Sequence, residues 1–293
     1  MNTAKEKRAI QYLQSFEPQS EPYYLCYSGG KDSDCIRILA QLAGVRHDIV
    51  HNLTTVDAPE TVRYVRSISG VQIERPEKTM WELIVEKKIP PTRLLRYCCK
   101  KLKEHGGKGR VKVTGVRWDE SKNRSDNHGV VTVIGKPKTM QRDAEDRDVD
   151  YRVNRQGGLV MNDDNAETRR FVEHCYRTTS TMVNPIVDWT DADVWEFLHH
   201  YGCQSNPLYQ CWDSRVGCIG CPMQGFGGMK ADFARWPQYK QIYIHAFDRM
   251  LEARDAAGKP RDGLWLTGED VFLWWIGEDP RQISLFDDEM EDT

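Results

Sequence analysis

The sequence has no long apolar run. No stretch approaches the roughly 20 consecutive apolar residues that a membrane-spanning helix requires, and the N-terminal stretch MNTAKEKRAIQYLQSF lacks the apolar core of a signal peptide. A large excess of either charge is also missing, since the formal net charge is −3, so only a local basic patch could attract nucleic acid. We therefore predict a cytoplasmic protein that is not embedded in a membrane.

The composition indicates a globular protein that keeps its cysteines reduced. With 293 residues, of which 39% are hydrophobic and 29% are charged, the chain can bury the core of one large domain or two modest ones. Disulfides are rare in the cytoplasm, so the nine cysteines point to metal binding or sulfur chemistry.

A glycine turn between a strand and a helix is the central feature of the sequence. The apolar run YYLCY stops at Ser28–Ser33, SGGKDS, and apolar residues then recur at helical spacing from Cys35 to Ala43. Two adjacent glycines let the backbone approach a ligand, and both the helix N-terminus and Lys31 favour an anion there. The loop is not a Walker A motif, which requires G-x-x-x-x-G-K-[ST]. The alternative is a tight turn with an exposed lysine.

Strands and helices alternate along much of the chain. We predict strands at 23–27, 48–53, 71–74, 111–117 and 130–134. We predict helices at 5–16, 35–43, 62–68, 78–86, 93–103, 229–256 and 268–276. This alternation favours a parallel sheet with helices on both faces and ligands at the carboxyl ends of its strands. The polar segment 136–170 is predicted to be an insertion or flexible flap rather than core.

Several short segments resemble a known family in its own order. SGGKDS resembles the PP-loop of the ATP pyrophosphatase superfamily, and the other segments resemble its phosphoadenosine-phosphosulfate (PAPS) reductase-like family. They are VDAPET at 56–61, YCCKKLK at 97–103, TGVR with ES at 114–121, NPIVDWT at 184–190, DADVW at 191–195, NPLY at 206–209 and GCIGCP at 217–222. Together they cover about residues 23–224, and the chain is identified as a member of this family.

The resemblance implies a fold and a domain organisation. The fold is a doubly wound α/β fold of the adenine nucleotide alpha hydrolase type, with a mostly parallel sheet and helices on both faces. The expected PP-loop domain is 1–224, with a flexible insertion at about 122–181. A helical extension at 225–293 follows, and it ends in an acidic tail.

The resemblance also implies an adenine nucleotide site. The Arg117 guanidinium, beside a glycine after a strand, could clamp an oxyanion through two hydrogen bonds. Asp32 could hold Mg²⁺ if the nucleotide is ATP, and Asp57 could contact ribose or a metal, or cap the following helix. The predicted catalytic residues are Lys31, Asp32 and Arg117. The predicted nucleotide-binding residues are Ser28, Gly29, Gly30, Lys31, Asp32, Ser33, Asp57, Gly115 and Arg117.

Two cysteine pairs are candidate metal ligands. Cys98-Cys99 and Cys218-x-x-Cys221 match the ligands of the iron–sulfur members of the family, which implies a [4Fe–4S] cluster. Zinc is the alternative, because thiolates bind both. Adjacent cysteines point apart on a regular helix, so binding through both requires a local distortion. A competing ligand set uses Cys211 and leaves Cys98 or Cys99 free. The other cysteines fit core positions: Cys26, Cys35, Cys175 and Cys203.

One departure from the family bears on function. Sulfonucleotide reductases carry a nucleophilic cysteine in a mobile C-terminal segment, and this sequence has no cysteine after Cys221. We therefore predict an ATP pyrophosphatase that adenylates an acceptor and uses an iron–sulfur cluster or a cysteine for sulfur transfer, as in the related sulfur-insertion enzyme of DNA phosphorothioation. The alternatives are reduction of PAPS or adenylyl sulfate by an external thiol, and a non-catalytic nucleotide-binding subunit.

These hypotheses carry expectations about partners. A cysteine desulfurase could donate sulfur, and nucleic acid could be the acceptor. Gln282–Phe286, QISLF, resembles the short peptide by which bacterial DNA-processing proteins dock on the replication sliding clamp. The alternative for this segment is a terminal strand or helix that packs on the domain.

Overall fold

The computed structural model describes residues 3–211, 215–259, 261, 263 and 265–279. These residues form two compact units. The first unit contains the described residues of Met1–Asn52, Pro59–Glu74 and Gly106–Val216, and the second contains those of Leu53–Ala58, Arg75–His105 and Gly217–Thr293. The division differs from the predicted boundary after residue 224, because the second unit also takes two segments from the N-terminal half. Both predicted cysteine pairs consequently belong to the second unit.

The strands of the first unit form one mixed sheet. They are β1 (Tyr23–Cys26), β2 (His47–Asn52), β3 (Val71–Glu74), β4 (Lys112–Val113), β5 (Val131–Ile134), β6 (Arg152–Val153), β7 (Leu159–Met161) and β8 (Ser180–Val183). Among the described residues, these eight strands have the order β3-β2-β1-β4-β8-β5-β7-β6. The pairings from β3 through β8 are parallel, and those of β5, β7 and β6 are antiparallel. The predicted mostly parallel α/β sheet is therefore confirmed.

The helices match most of the predicted ones within a few residues. They are α1 (Thr3–Ser15), α2 (Lys31–Ala43), α3 (Pro59–Ser67), α4 (Met80–Lys87), α5 (Lys122–Asn127), α6 (Pro137–Glu145), α7 (Ala166–Cys175), α8 (Asp191–His200), α9 (Gly225–Arg235), α10 (Pro237–Asp255) and α11 (Gly268–Trp275). In α2, the buried residues Cys35, Ile36, Leu39 and Ala40 lie on one stripe, as the helical spacing predicts. This stripe belongs to the core that also contains Leu25 of β1.

The sheet order creates a crevice at the end of β1. The chain leaves β1 for its neighbour β2 on one side, whereas β4 pairs with β1 on the other side. The direction of the connections changes between β1 and β4, and ligands of open α/β sheets bind in the crevice outside the carboxyl ends of such strands. The segments that follow these two strands, residues 28–33 and 114–117, flank this position.

The segment 136–170 is part of the folded core, which differs from the predicted flexible insertion. It contributes α6 and the strands β6 and β7, and β7 pairs with both β5 and β6. Met140, Ala144 and Leu159 are buried in the core of the first unit. Most of the few large apolar residues of the segment are buried, with Val153 as an exposed exception, so a low apolar content is compatible with an ordered edge of the sheet.

The second unit is held together by α4, α9, α10 and α11. An aromatic cluster forms its centre, with Phe233, Tyr243, Phe272 and Trp275 in mutual contact. The predicted single helix over 229–256 was wrong. Helix α9 ends at Arg235, and α10 begins at Pro237, because proline disfavours helical geometry in the residue before it and cannot donate a backbone hydrogen bond.

None of the described helices is both long and apolar enough to span a bilayer. The segment Gln282–Phe286 and the acidic tail lie outside the described residues.

Candidate functional site

The glycine loop after β1 has the geometry that its sequence predicts. Gly29 has a φ of +76°, and a Cβ atom there would lie 2.8 Å from Cγ2 of Val65, so only glycine fits. The Ser33 hydroxyl donates to the carbonyl oxygen of Gly30 at 2.7 Å and accepts its N–H at 3.1 Å. Lys31 then begins α2, so the positive end of the helix dipole lies at the crevice and favours an anion there.

The loop after β4 packs directly against the start of α2. A Cβ atom at Gly115 would lie 3.0 Å from the backbone oxygen of Asp32, so glycine permits this close approach. Arg117 follows two residues later, and its side chain reaches the carboxylate of Asp32. Its Nε donates to Oδ1 of Asp32 at 2.7 Å. The predicted catalytic residues Lys31, Asp32 and Arg117 therefore lie together.

Two nearly buried cations share one carboxylate oxygen in this cluster. Lys31 is 6% exposed and Arg117 is 3% exposed. Oδ1 of Asp191 lies 3.1 Å from Nζ of Lys31 and 3.0 Å from Nη2 of Arg117. Asp119 adds a further carboxylate, with Oδ2 at 3.4 Å from Nη1 of Arg117 and at 2.9 Å from the backbone N–H of Asp191.

Burial and charge act in opposite directions on these carboxylates. Burial raises the pKa of Asp32 above its usual value, although Lys31 and Arg117 act to lower it. Burial also acts to raise the pKa of Asp191, but hydrogen bonds and charge from Lys31 and Arg117 outweigh it and leave this pKa lowered. Asp191 therefore stays ionised through the neutral pH range.

Two side chains from the segment NPLY position the glycine loop. The Tyr209 hydroxyl accepts the backbone N–H of Lys31 at 3.0 Å, and Nζ of Lys31 lies 5.7 Å from the centre of the Tyr209 ring. The buried Asn206 donates to the carbonyl oxygen of Gly29 at 3.0 Å and to Oγ1 of Thr61 at 3.1 Å. Sequence reasoning used this segment to identify the family but assigned these residues, and Asp191 in DADVW, no role.

A buried carboxylate lies beneath the loop. Asp34, in the first turn of α2, accepts hydrogen bonds from the hydroxyls of Tyr27 at 2.7 Å and of Tyr64 at 2.9 Å. Burial raises its pKa, against the effect of both tyrosines. Asp34 has no exposed surface, so it links α2 to Tyr27, the residue after β1, and to α3 rather than binding a ligand.

A broad cleft of about 1100 Å³ opens in the first unit beside α3 and α8. Trp195 and His199 of α8 line it together with Tyr209, and the rings of Trp195 and Tyr209 meet edge to face at 5.1 Å. Arg63 of α3 and the polar segment 203–206 complete the lining. Through Tyr209, the cleft adjoins the glycine loop.

The second unit gathers the predicted metal ligands around one small cavity. Cys98, Cys99, Cys218 and Cys221 all line this cavity of about 30 Å³. Its remaining walls are mostly apolar: Met80, Leu102, Ile219, Gly220, Pro222 and Tyr243, with Thr54 and Lys103. The alternative ligand Cys211 is exposed and belongs to the first unit.

The backbone at the adjacent cysteines is distorted, as binding through both of them requires. Cys99–Lys103 form a π-helical turn in place of the regular helix predicted for 93–103. Such turns are often found at functional sites because the inserted residue redirects side chains. The distortion lets Cys98 and Cys99 face the same cavity.

Two cations are directed at the thiols. Nη2 of Arg96 donates to Sγ of Cys99 at 3.5 Å, and a hydrogen bond joins Lys103 to Cys218. A hydrogen bond from Cys98, followed by the hydrogen bond and the charge of Arg96, lowers the pKa of Cys99 below its usual value, although burial opposes this. The charges of Cys218 and then of Asp57 raise the pKa of Lys103, although burial opposes this.

Asp57 belongs to this second unit and not to the glycine loop. Its Oδ2 accepts the backbone N–H of Thr54 at 2.7 Å, and its backbone forms an isolated bridge with Cys218. The carboxylate thus stabilises the turn that precedes α3.

The four thiols that line the cavity are suitable ligands for a metal, but their sulfur atoms do not have the arrangement of a formed metal site. Among the described residues, no group of three or more Cys, His, Asp or Glu side chains converges closely enough to hold a metal ion. The residue types fit a [4Fe–4S] cluster or zinc.

Comparison with known proteins gives further matches. A protein of Methanocaldococcus jannaschii without a known function is 24% identical over 276 residues, which cover 89% of this chain and 49% of that protein. The adenosine 5'-phosphosulfate reductase of Allochromatium vinosum is 30% identical over 67 residues, covering 22% of this chain and 26% of the reductase. The chain thus spans half or less of the length of these curated relatives.

A solved structure and a family profile were also matched. The phosphate complex of phosphoadenylyl-sulfate (PAPS) reductase from Candida auris aligns with a TM-score of 0.43 and 13% identity, covering 74% of this chain and 93% of that chain. The profile of the phosphoadenosine phosphosulfate reductase domain matches residues 22–224. Because this match includes most of the sequence, the chain belongs to the phosphoadenosine phosphosulfate reductase domain family.

Proposed function

We propose that the protein is an ATP pyrophosphatase that adenylates an acceptor and prepares it for sulfur transfer. The observation that carries this proposal is the pair of nearly buried cations, Lys31 and Arg117, at the crevice between β1 and β4. A nucleotide phosphate bound there is stabilised by both cations and by the positive N-terminal end of the α2 dipole.

The proposed first step transfers the adenylyl group. An oxygen of the acceptor attacks the α-phosphorus of ATP, the bond to the β-phosphate oxygen breaks, and pyrophosphate leaves. Lys31 and Arg117 stabilise the negative charge that develops on the phosphate oxygens. A sulfur nucleophile then displaces AMP, which leaves the sulfur bonded to the acceptor.

The carboxylates at this site favour ATP with Mg²⁺ over a sulfonucleotide. Asp32 lies beside both cations, 3.8 Å from Nζ of Lys31 and 2.7 Å from Nε of Arg117. One or two carboxylates plus phosphate oxygens are the usual protein environment of Mg²⁺. We assign Asp32 to the metal that accompanies the nucleotide.

The sulfur chemistry is assigned to the cysteines of the second unit. Cys98, Cys99, Cys218 and Cys221 are the proposed ligands of a [4Fe–4S] cluster, with zinc as the alternative. A bound cluster would supply a reducible iron–sulfur centre for sulfur handling. The cations Arg96 and Lys103 offset the negative charge of the thiolates.

Pyrophosphate release tests the proposal. Anaerobically purified protein is incubated with ATP and Mg²⁺ and with candidate acceptors, including DNA and RNA, and iron and sulfide are quantified in the same sample. We expect pyrophosphate in equal amount to AMP or adenylylated acceptor. A metal-loaded protein that binds ATP but never releases pyrophosphate would instead be a nucleotide-binding subunit, which is the third candidate.

The second candidate is a sulfonucleotide reductase that uses an external thiol, which the similarity to the Allochromatium vinosum reductase favours. In this candidate, the attacking thiol belongs to another protein such as thioredoxin. Sulfite release from PAPS or adenylyl sulfate in the presence of thioredoxin would favour this candidate. No sulfite under anaerobic conditions would exclude it.

We further propose three partners for the first candidate, in the cytoplasm. A cysteine desulfurase supplies sulfur, nucleic acid is the acceptor, and the replication sliding clamp binds Gln282–Phe286. A pull-down with the clamp tests the last of these, with Leu285→Ala and Phe286→Ala as the control. Equal retention of the unchanged protein and of the substituted variants by the clamp would contradict the clamp assignment.

A further inference from the structure

One oxygen atom of Asp191 occupies the point where the two buried cations of the first unit converge. Its Oδ1 lies 3.1 Å from Nζ of Lys31 and 3.0 Å from Nη2 of Arg117. These are the distances of charge-assisted hydrogen bonds, the same contacts that a phosphate oxygen makes with lysine and arginine. A phosphate oxygen and the Asp191 carboxylate cannot both hold this position.

Asp191 is the replaceable anion of the cluster. Its side chain is 55% exposed, whereas that of Asp32 is 24% exposed. It is the first residue of α8, but the helix is capped by Thr190 and Asp193, whose side chain and backbone groups bond each other. The Asp191 side chain can therefore swing toward solvent without removing the helix cap.

The Asp191 carboxylate also neutralises the two buried cations. Lys31 and Arg117 are almost fully buried, and a buried cation without a counter-charge is strongly unfavourable. Asp191 adds its counter-charge to that of Asp32, and the lowered pKa of its carboxyl group keeps it ionised.

The geometry points to Asp191 as a built-in competitor of the nucleotide: its carboxylate holds the oxyanion position between Lys31 and Arg117, and an incoming nucleotide phosphate displaces it. This inference rests on the proposed nucleotide site. Because Asp191 must leave before the phosphate binds, part of the binding free energy is spent on breaking its two ion pairs. Asp191 thus sets the affinity of the site without contacting the nucleotide.

The substitution Asp191→Asn tests the inference by the sign of its effect. Removing the charge while keeping the shape should strengthen the binding of inorganic pyrophosphate, and of ATP in the presence of EDTA, roughly three- to tenfold, the range expected for half-exposed ion pairs. Isothermal titration calorimetry measures both affinities. Asp188→Asn is the matched control, because the ion pair of Asp188 is with Arg8 and not with either cation of the site.

Thermal unfolding gives a second measurement on the same proteins. Asp191→Asn leaves the two cations less well neutralised, so its melting temperature without ligand should fall, and pyrophosphate should raise it by more than it raises that of the unchanged protein. Asp191→Ser, which also removes the charge, should behave in the same way and guards against an effect specific to asparagine.

The outcomes separate the inference from the proposed function. Unchanged or weaker pyrophosphate binding by Asp191→Asn, beside normal binding by the unchanged protein, would overturn the inference and leave the nucleotide site standing. Weaker binding only of ATP with Mg²⁺ would make Asp191 a metal ligand instead, which also overturns it. If the unchanged protein and both variants bind neither pyrophosphate nor ATP, the nucleotide site and the inference fall together.

Discussion

The glycine-loop site and the four-cysteine cavity differ in how complete they are. In the first unit, Lys31 and Arg117 already have carboxylate partners at hydrogen-bonding distance. In the second unit, the thiols share a cavity and have cations beside them, but they do not converge on one point. A site of fixed charges is preorganised for an anion, whereas a site of thiols gains its final geometry from the metal. Variants should therefore affect nucleotide chemistry in the first site and metal content in the second.

The largest effect is expected from Lys31→Ala. This change removes a buried charge from the anion position, and pyrophosphate release from ATP should fall by at least about 100-fold. Pyrophosphate is measured by a coupled assay, and iron or zinc content should not change. Lys138→Ala, on the exposed side of α6, is the matched control. Metal loss in Lys31→Ala would break the separation between the two sites.

The complementary effect is expected from Cys218→Ser. A serine oxygen is a poor replacement for a thiolate, so the bound iron or zinc should fall by roughly tenfold, while ATP binding persists. Metal analysis together with the visible absorption of the purified protein measures the loss and distinguishes iron from zinc.

Cys211→Ser is the control that decides between the two ligand sets. Cys211 is exposed and lies in the first unit, so its replacement should leave the metal content unchanged. Metal loss in Cys211→Ser together with retention in Cys98→Ser would favour the competing set.

The two sites were also unequally predictable from sequence. The loop SGGKDS fixes its own backbone, because Gly29 needs a positive φ and the following residues start a helix, so local sequence was sufficient. The partners that complete the site, Asp191 and Tyr209, come from distant segments, and only the folded chain brings them to Lys31. Motif resemblance identified both segments but could not assign these contacts.

At the cysteine cavity, in contrast, the local sequence pointed away from the arrangement that the structure has. Spacing alone argued against joint use of Cys98 and Cys99, since neighbours on a helix diverge, and only family resemblance supported it. The π-helical turn at Cys99–Lys103 removes that objection, but no residue type in this segment predicts such a turn from the sequence. The core packing of 136–170 was missed for a different reason: its buried residues are too few to form a clear pattern in the sequence.

A change within the first site should affect both stability and binding. Arg117→Lys keeps the charge but loses the planar fork that contacts Asp32 and Asp191. We expect the free energy of unfolding in urea to fall by about 1–3 kcal/mol and nucleotide affinity to fall roughly tenfold.

Arg110→Lys is the matched control for that change. Arg110 is another arginine of the first unit, with bonds to Asp48 and to the carbonyl oxygens of Pro22 and Tyr23. It should lose similar stability but keep its nucleotide affinity. An equal loss of affinity in both variants would mean that Arg117 acts only through the fold.

The smallest effects come from one chemical change made in both units. Thr190 caps α8 and Thr79 caps α4, each in a reciprocal pair with the acidic residue three positions later. Replacing either threonine by alanine should cost about 1 kcal/mol of unfolding free energy, since both caps make the same reciprocal hydrogen bonds. Only Thr190→Ala should also change pyrophosphate affinity, because it loosens the turn that carries Asp191, while Thr79→Ala should leave both metal content and affinity unchanged. Calorimetry on the two variants therefore shows whether anion binding at the first site depends on the N-terminal turn of α8. Equal pyrophosphate affinities for Thr190→Ala and Thr79→Ala would mean that this turn does not control anion binding.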